Sequence, residues 1–208
     1  MNVQNVQPSS QPARLLPFHA VHLPKTPILT ESDFMERAGA VTFKGNPMTL
    51  IGPEVQTGRP APEFHLRSYE NGGMQTIDNA SLKGKPTIIS VVPSLDTPVC
   101  QIQTKKFNEQ LAGYGDKINA LTVSLDLPFA MNRFCGAENI KGLRNGSDYM
   151  DREFGKNWGM LIKELMILAR GTFVLDSAGQ VVYAEQVKEV ANEPNYDGAL
   201  NALKSLVK

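Results

Sequence analysis

Pro86-Thr87-Ile88-Ile89-Ser90-Val91-Val92-Pro93-Ser94-Leu95-Asp96-Thr97-Pro98-Val99-Cys100 holds a strand, a break and a helix start in succession. Thr87 to Val92 is a largely β-branched run bounded by Pro86 and Pro93, and Lys83-Gly84-Lys85-Pro86 is the turn that feeds it. A continuous run of this kind suits a central strand buried on both faces. After Pro93 the chain turns through Ser94-Leu95-Asp96. Thr97 then fits the N-cap and Pro98 the first helical position, while Phe107 and Leu111 recur one turn apart.

Working outward, Ile118 to Val123 reads as the next strand and Pro128 to about Cys135 as a second helix. Gly136 to Gly159 reads as loop and short helix. Thr172 to Leu175 and Val181 to Ala184 are strands joined by the Asp176-Ser177-Ala178-Gly179 turn, and Tyr196, Ala199, Leu200, Leu203 and Leu206 mark an amphipathic C-terminal helix. Upstream, Val41, Phe43, Met48 and Leu50 flank a Gly45-Asn46-Pro47 turn, which predicts a β-hairpin; Phe64 to Leu66 and Met74 to Ile77 predict short strands. The order β-α-β-α, then a hairpin and a helix, is an α/β, thioredoxin-like fold with an added N-terminal β-hairpin.

The chain has 208 residues, enough for one domain that buries its own core, and balances 21 basic against 21 acidic residues. Without a basic excess, neither nucleic acid nor an anionic membrane is expected as a partner. No apolar run approaches the roughly 18 residues of a membrane span. Two cysteines and three histidines, with no CxxC, no HExxH and no four-ligand spacing, give no expectation of a metal. Residues 1–38 are rich in Gln, Pro and Ser and carry no acidic residue before Glu31. They read as a disordered tail or as residues upstream of a true start at Met35, ahead of a domain at 39–208. A basic start, an unbroken apolar stretch and a small-residue cleavage site are missing there, which points to the cytoplasm.

If Thr97 is the N-cap, Pro98, Val99 and Cys100 fill the first three helical positions. The Cys100 sulfur then lies among unpaired backbone N–H groups, which favours the nucleophilic thiolate over the thiol. The neighbouring Asp96 opposes this, so a cation is expected nearby; Arg170, Arg133, Lys105 and Lys106 are the candidates, and spacing does not choose among them. The plainer alternative is a cysteine that only packs behind the helix.

Pro93, Thr97 and Cys100 form the PxxxTxxC pattern, and the chain here resembles the peroxiredoxins. Lys105-Lys106-Phe107-Asn108 continues the likeness. Ser124-Leu125-Asp126-Leu127-Pro128-Phe129-Ala130 with Arg133-Phe134-Cys135-Gly136 resembles the bacterial thiol peroxidase subfamily, an atypical two-cysteine type. Leu168-Ala169-Arg170 and Glu193-Pro194-Asn195-Tyr196 also match, so the resemblance runs from about Ala40 to Lys208. It implies that Cys100 is the peroxidatic cysteine, which attacks a peroxide and becomes a sulfenic acid. It implies that Thr97 orients the peroxide, that Pro93 shields the pocket, and that Arg170 stabilises the thiolate and polarises the peroxide. Cys135 would then resolve the sulfenic acid as an intrachain disulfide. Two helix-borne cysteines need Cα atoms closer than about 7 Å for this, so local unwinding around both is expected. The resemblance further implies hydrogen peroxide and organic hydroperoxides as substrates, thioredoxin as reductant, a homodimer and no cofactor.

Other residues carry weaker signals. His19, His22 and His65 read as structural or solvent-facing. Phe129, Met131 and Trp158 are candidates for an apolar rim, with core or subunit-contact roles as the alternative. Gly171 and Trp158 depart from residues frequent in the family, which leaves pocket shape and dimer packing open. Two competing functions remain: a thiol–disulfide oxidoreductase, which the missing CxxC disfavours, and a non-enzymatic redox sensor that forms the same disulfide.

Overall fold

The computed structural model describes residues 35–207. A hairpin opens this part of the chain, β1 (Glu36–Phe43) and β2 (Asn46–Ile51). A second hairpin, β3 (His65–Glu70) and β4 (Gly73–Asp78), leads through the one-turn helix α1 (Asn79–Leu82) into β5 (Thr87–Val91). The chain continues through α2 (Pro98–Leu111), β6 (Asn119–Ser124), α3 (Pro128–Ala137) and β7 (Arg144–Ser147). Helix α4 (Glu153–Asn157) and the short strands β8 (Leu161–Ile162) and β9 (Ile167–Leu168) come next. The hairpin of β10 (Gly171–Leu175) and β11 (Val181–Gln186) and helix α5 (Tyr196–Leu206) end it.

β5 lies near the middle of a seven-stranded sheet ordered β11-β10-β5-β6-β7-β3-β4, and all its residues are buried, as its run of apolar and β-branched residues requires. It pairs in parallel with β6, which pairs in parallel with β7, while β10 joins β5 antiparallel. The two crossovers therefore carry α2 and α3 to one face. There Phe107 and Leu111 of α2, Cys135 of α3, and Ala199 and Leu203 of α5 pack on Ile88 and Val174. Alternate residues Ile89, Val91, Phe173 and Leu175 point to the other face, into a core closed by the N-terminal hairpin and an aromatic group. Trp158 stacks on Phe154 at 4.7 Å and meets Phe64 and Phe173 edge to face at 5.9 and 5.0 Å. Each such ring, fully buried, stabilises the fold by about 1.5–3 kcal/mol.

Four features depart from the expectation. The first hairpin turns at Lys44-Gly45, not at Gly45-Asn46-Pro47; both residues have positive φ, which a two-residue turn matching the strand twist needs, and Phe43 pairs with Asn46. Secondly, residues 136–159 contain the strand β7 as well as loop and helix. Its sequence, Arg-Asn-Gly-Ser, has no apolar residue to announce it. It fits because Gly146 lies against Leu66 of β3, where a Cβ would come within 2.6 Å of Leu66 Cδ1. Thirdly, β8 and β9 extend the N-terminal hairpin into a separate four-stranded sheet, β1-β2-β8-β9. Lastly, β1 begins at Glu36, ahead of residue 39. Arg37 explains the early start: its guanidinium donates to the carbonyls of Gly52 and Gly159 at 3.0 and 2.6 Å, and the Glu36 carboxylate pairs with Lys163 at 2.7 Å. The rest of the expected N-terminal tail, residues 1–34, lies outside the described residues. None of the described helices is long and apolar enough to cross a membrane.

Candidate active site

Cys100 is fully buried at the third position of α2, because Thr97 is the N-cap in extended backbone and Pro98 starts the helix. An N-cap threonine normally accepts a hydrogen bond from a first-turn amide, worth about 1 kcal/mol. Thr97 makes no such bond. Its hydroxyl is instead 2.8 Å from Cys100 Sγ and 3.0 Å from the Ser94 carbonyl, so its one proton is shared between sulfur and carbonyl oxygen. The local cap is given up in favour of a donor aimed at the sulfur.

Arg170 reaches the same sulfur through the sheet. It directly precedes β10, whose first residue Gly171 pairs with Val91 at the end of β5, two residues before Pro93. The guanidinium is only 2% exposed and its donors diverge: Nη2 to Cys100 Sγ at 3.4 Å, Nη1 to Gln103 Oε1 at 2.6 Å, Nε to the Val190 carbonyl at 2.8 Å. Gln103, one turn after Cys100 on the buried face of α2, donates in turn to Ser90 Oγ at 2.8 Å. A buried charge held by three bonds has a fixed position, and here that position stabilises a negative sulfur. Val92, Leu95 and Met131 wall the sulfur with apolar surface. Pro93, two residues past the end of β5, is buried and borders an open groove of about 370 Å³ that Ser94, Leu125, Tyr149 and Ile167 also line.

The other cationic candidates lie elsewhere. Lys105 pairs with Glu138, Lys106 pairs with Glu193 at 2.6 Å, and Arg133 is exposed. Asp96 is exposed too, so solvent screens its opposing charge.

Cys135 is buried near the end of α3, and both cysteines are free thiols. The Cys135 thiol donates to Asn145 Oδ1 of β7 at 3.2 Å; burial pushes its pKa up, with the Asn145 bond acting weakly the other way. The two cysteines belong to different clusters, Cys100 with Leu95 and Met131, Cys135 with Ile88 and Phe107, and Phe134 packs against both. Sequence reasoning named the two cysteines but gave no role to Gln103 or Asn145. The i, i+3 spacing from Cys100 could have pointed to Gln103; nothing local points to Asn145.

Of the residues with weaker signals, Met131 faces Cys100, whereas Trp158 is ordinary core whose indole N–H donates to the Pro62 carbonyl at 3.2 Å. Phe129 is 58% exposed, with its ring 5.0 Å from that of Tyr69. His65 is an exposed partner of Glu153 at 2.8 Å, and that hydrogen bond raises its pKa. His19 and His22 lie outside the described residues. Among the described residues, no group of three or more His, Cys, Asp or Glu side chains is placed to hold a metal ion.

Comparisons with known proteins show the family. The family model described as Redoxin matches residues 56–200. A thiol peroxidase of Bacillus subtilis is 50% identical over 168 residues, 81% of this chain and 98% of that protein. One from Halalkalibacterium halodurans is 46% identical over 80% of this chain and 98% of its own length. Among solved structures, a peroxiredoxin-like protein from Aquifex aeolicus superposes with a TM-score of 0.74 at 41% identity, covering 82% of this chain and 98% of that one. Membership follows from the extent of these matches: the chain belongs to the redoxin family, and within it to the thiol peroxidases.

Proposed function

We propose that the protein is a peroxidase that reduces hydrogen peroxide and organic hydroperoxides with Cys100 as nucleophile and Cys135 as the resolving thiol. The observation that carries this reading is the convergence of Thr97 Oγ1 and Arg170 Nη2 on one buried sulfur, at 2.8 and 3.4 Å. The Cys100 thiolate attacks the terminal peroxide oxygen. A sulfur–oxygen bond forms, the oxygen–oxygen bond breaks, and the leaving oxygen departs with the bonding pair and takes up a proton as water or alcohol. The sulfur is oxidised by two electrons to the sulfenic acid. The Thr97 hydroxyl orients the peroxide, the Arg170 guanidinium stabilises charge on the reacting oxygens, and Pro93 keeps water from the sulfenic acid. The groove beside Pro93, with Leu125, Met166 and Ile167 along it, has room for an alkyl group.

Resolution follows when the Cys135 sulfur attacks the sulfenic sulfur, forming the disulfide and releasing water. Because Cys100 and Cys135 have separate partners and separate clusters, the first turn of α2 and the end of α3 unwind for this step. A dithiol reductant of the thioredoxin type then returns both thiols. Such a cycle suits the cytoplasm, where disulfides are transient and catalytic. A homodimer is the expected assembly. A non-enzymatic sensor would share the first oxidation, so turnover decides between them. In a thioredoxin-coupled assay the wild-type chain turns over repeatedly, Cys100→Ser abolishes the reaction, and Cys135→Ser stops after one equivalent. Oxidation without turnover in the wild type would favour the sensor, and activity that survives Cys100→Ser would overturn both.

A further inference from the structure

The segment joining β6 to α3 holds a carboxylate that this cycle leaves unused. Asp126 lies between Ser124, the last residue of β6, and Pro128, the first of α3. Its Oδ1 accepts from the Ser94 hydroxyl at 2.8 Å, and its Oδ2 accepts from the Leu95 backbone N–H at 2.7 Å and the Ser124 hydroxyl at 3.0 Å. The Ser94 oxygen also accepts from the Asp96 N–H at 3.2 Å, and Ser124 Oγ from the Asp126 N–H at 3.1 Å. The carbonyl of Asp126 is held from a third side by the Ser147 hydroxyl of β7. One side chain thus fastens the loop that leads into α2, where Cys100 sits, to the loop that leads into α3, where Cys135 sits.

We infer that Asp126 is a positioning residue that sets the balance between the closed geometry needed for peroxide attack and the opened geometry needed for the disulfide. This rests on the peroxidase reading above. Leu95, whose N–H it holds, packs in the same cluster as Cys100 and Met131, so releasing Leu95 loosens the wall of the sulfur as well as the start of α2. Unwinding around Cys100 must break the Ser94 and Leu95 bonds or work against them. They are charge-assisted, which makes them the stronger ties at this junction. Asp126→Asn keeps size but replaces one acceptor with an amide N–H that faces other donors, and Ser94→Ala removes a single donor.

The test separates the two chemical steps. Peroxide oxidation of Cys100 is timed in the Cys135→Ser background, and disulfide formation is timed in the two-cysteine chain by acid quench, alkylation and mass analysis. Urea titration of every variant normalises the rates to folded protein. The expected result is a split: Asp126→Asn slows peroxide attack and speeds disulfide formation by roughly tenfold, with Ser94→Ala shifting both rates the same way but less. At excess peroxide, less sulfinic acid accumulates relative to disulfide. A residue that only supports the fold would lower the urea midpoint and leave the ratio of the two rates unchanged, and that result overturns the inference. Amide exchange of the reduced protein provides a readout free of peroxide chemistry. Faster exchange across residues 94–100 and 126–135 in Asp126→Asn supports the latch, and unchanged exchange refutes it. If the wild-type chain itself fails to oxidise at Cys100, the peroxidase reading falls while the exchange result still judges the latch.

Discussion

Replacing Arg170 with methionine removes the charge beside Cys100 while keeping an unbranched, shorter apolar side chain. At 3.4 Å from Sγ, a unit positive charge stabilises a thiolate by about 5 kcal/mol at an effective dielectric of about 20. The guanidinium spreads its charge and is itself desolvated, so this is the upper bracket; a charged hydrogen bond, at about 1.5–3 kcal/mol, is the lower one. With about 1.4 kcal/mol per decade, the rate of peroxide attack should fall by roughly a hundredfold, within limits of about ten- and a few thousandfold. A second, separable cost follows from burial. Gln103 Oε1 and the Val190 carbonyl lose their donor, which destabilises the fold by about 1–3 kcal/mol for each acceptor left bare. Arg170→Lys keeps a charge but not the three diverging donors, and should fall between the methionine variant and the parent. The assay is single-turnover oxidation in the Cys135→Ser background, with urea titration of the same samples. If Arg170→Met were fully folded and reacted within a factor of a few of its parent, the electrostatic argument would be refuted.

Thr97→Val should slow peroxide attack by roughly ten- to a hundredfold, because it removes the hydroxyl 2.8 Å from the sulfur; Thr97→Ser should recover most of the loss in the same single-turnover assay. Asp148 is 2% exposed, and burial pushes its carboxyl up to about 7 although the amides of Phe154 and Gly155 bond to it. A carboxyl that holds its proton more tightly when folded is stabilising below its unfolded value of about 4 and becomes less so as pH rises to about 7. Urea titrations between these pH values should therefore show a downward contribution, at most about 1.4 kcal/mol per unit, that vanishes in Asp148→Asn; equal pH profiles for the two proteins would contradict it. Burial raises the pKa of the Cys135 thiol. Limited alkylation of the reduced protein at neutral pH, read by peptide mass, should label Cys135 only slowly, and faster as pH rises; rapid labelling at neutral pH would count against that environment.

Legibility from the sequence followed locality. β5 announced itself because its apolar and β-branched run is bounded by prolines, and the start of α2 because Thr97 and Pro98 sit where a cap and a first helical residue belong. β7 stayed hidden because Arg144-Asn145-Gly146-Ser147 has no apolar pattern; its place comes from pairing with β6 and from space beside Leu66. β8 and β9, at two residues each, are too short for any periodicity to register. The nearness of Thr97 to Cys100 could be read from a three-residue spacing on a helix start. Arg170 could not be chosen among the cations by spacing, since only the pairing of Gly171 with Val91 brings it across the sheet; resemblance alone singled it out. Asp126 was visible only as part of a motif, since its partners Ser94 and Leu95 lie on a different loop.

The roles of the two cysteines are tested by the mass of the reduced chain after one equivalent of hydrogen peroxide, followed by peptide mapping under non-reducing conditions. In the wild type, loss of a pair of hydrogens and a peptide pair joined through Cys100 and Cys135 are expected. Cys135→Ser should gain one oxygen on Cys100, and Cys100→Ser should not change. Oxidation landing first on Cys135, or on both thiols without a bond between them, would contradict it.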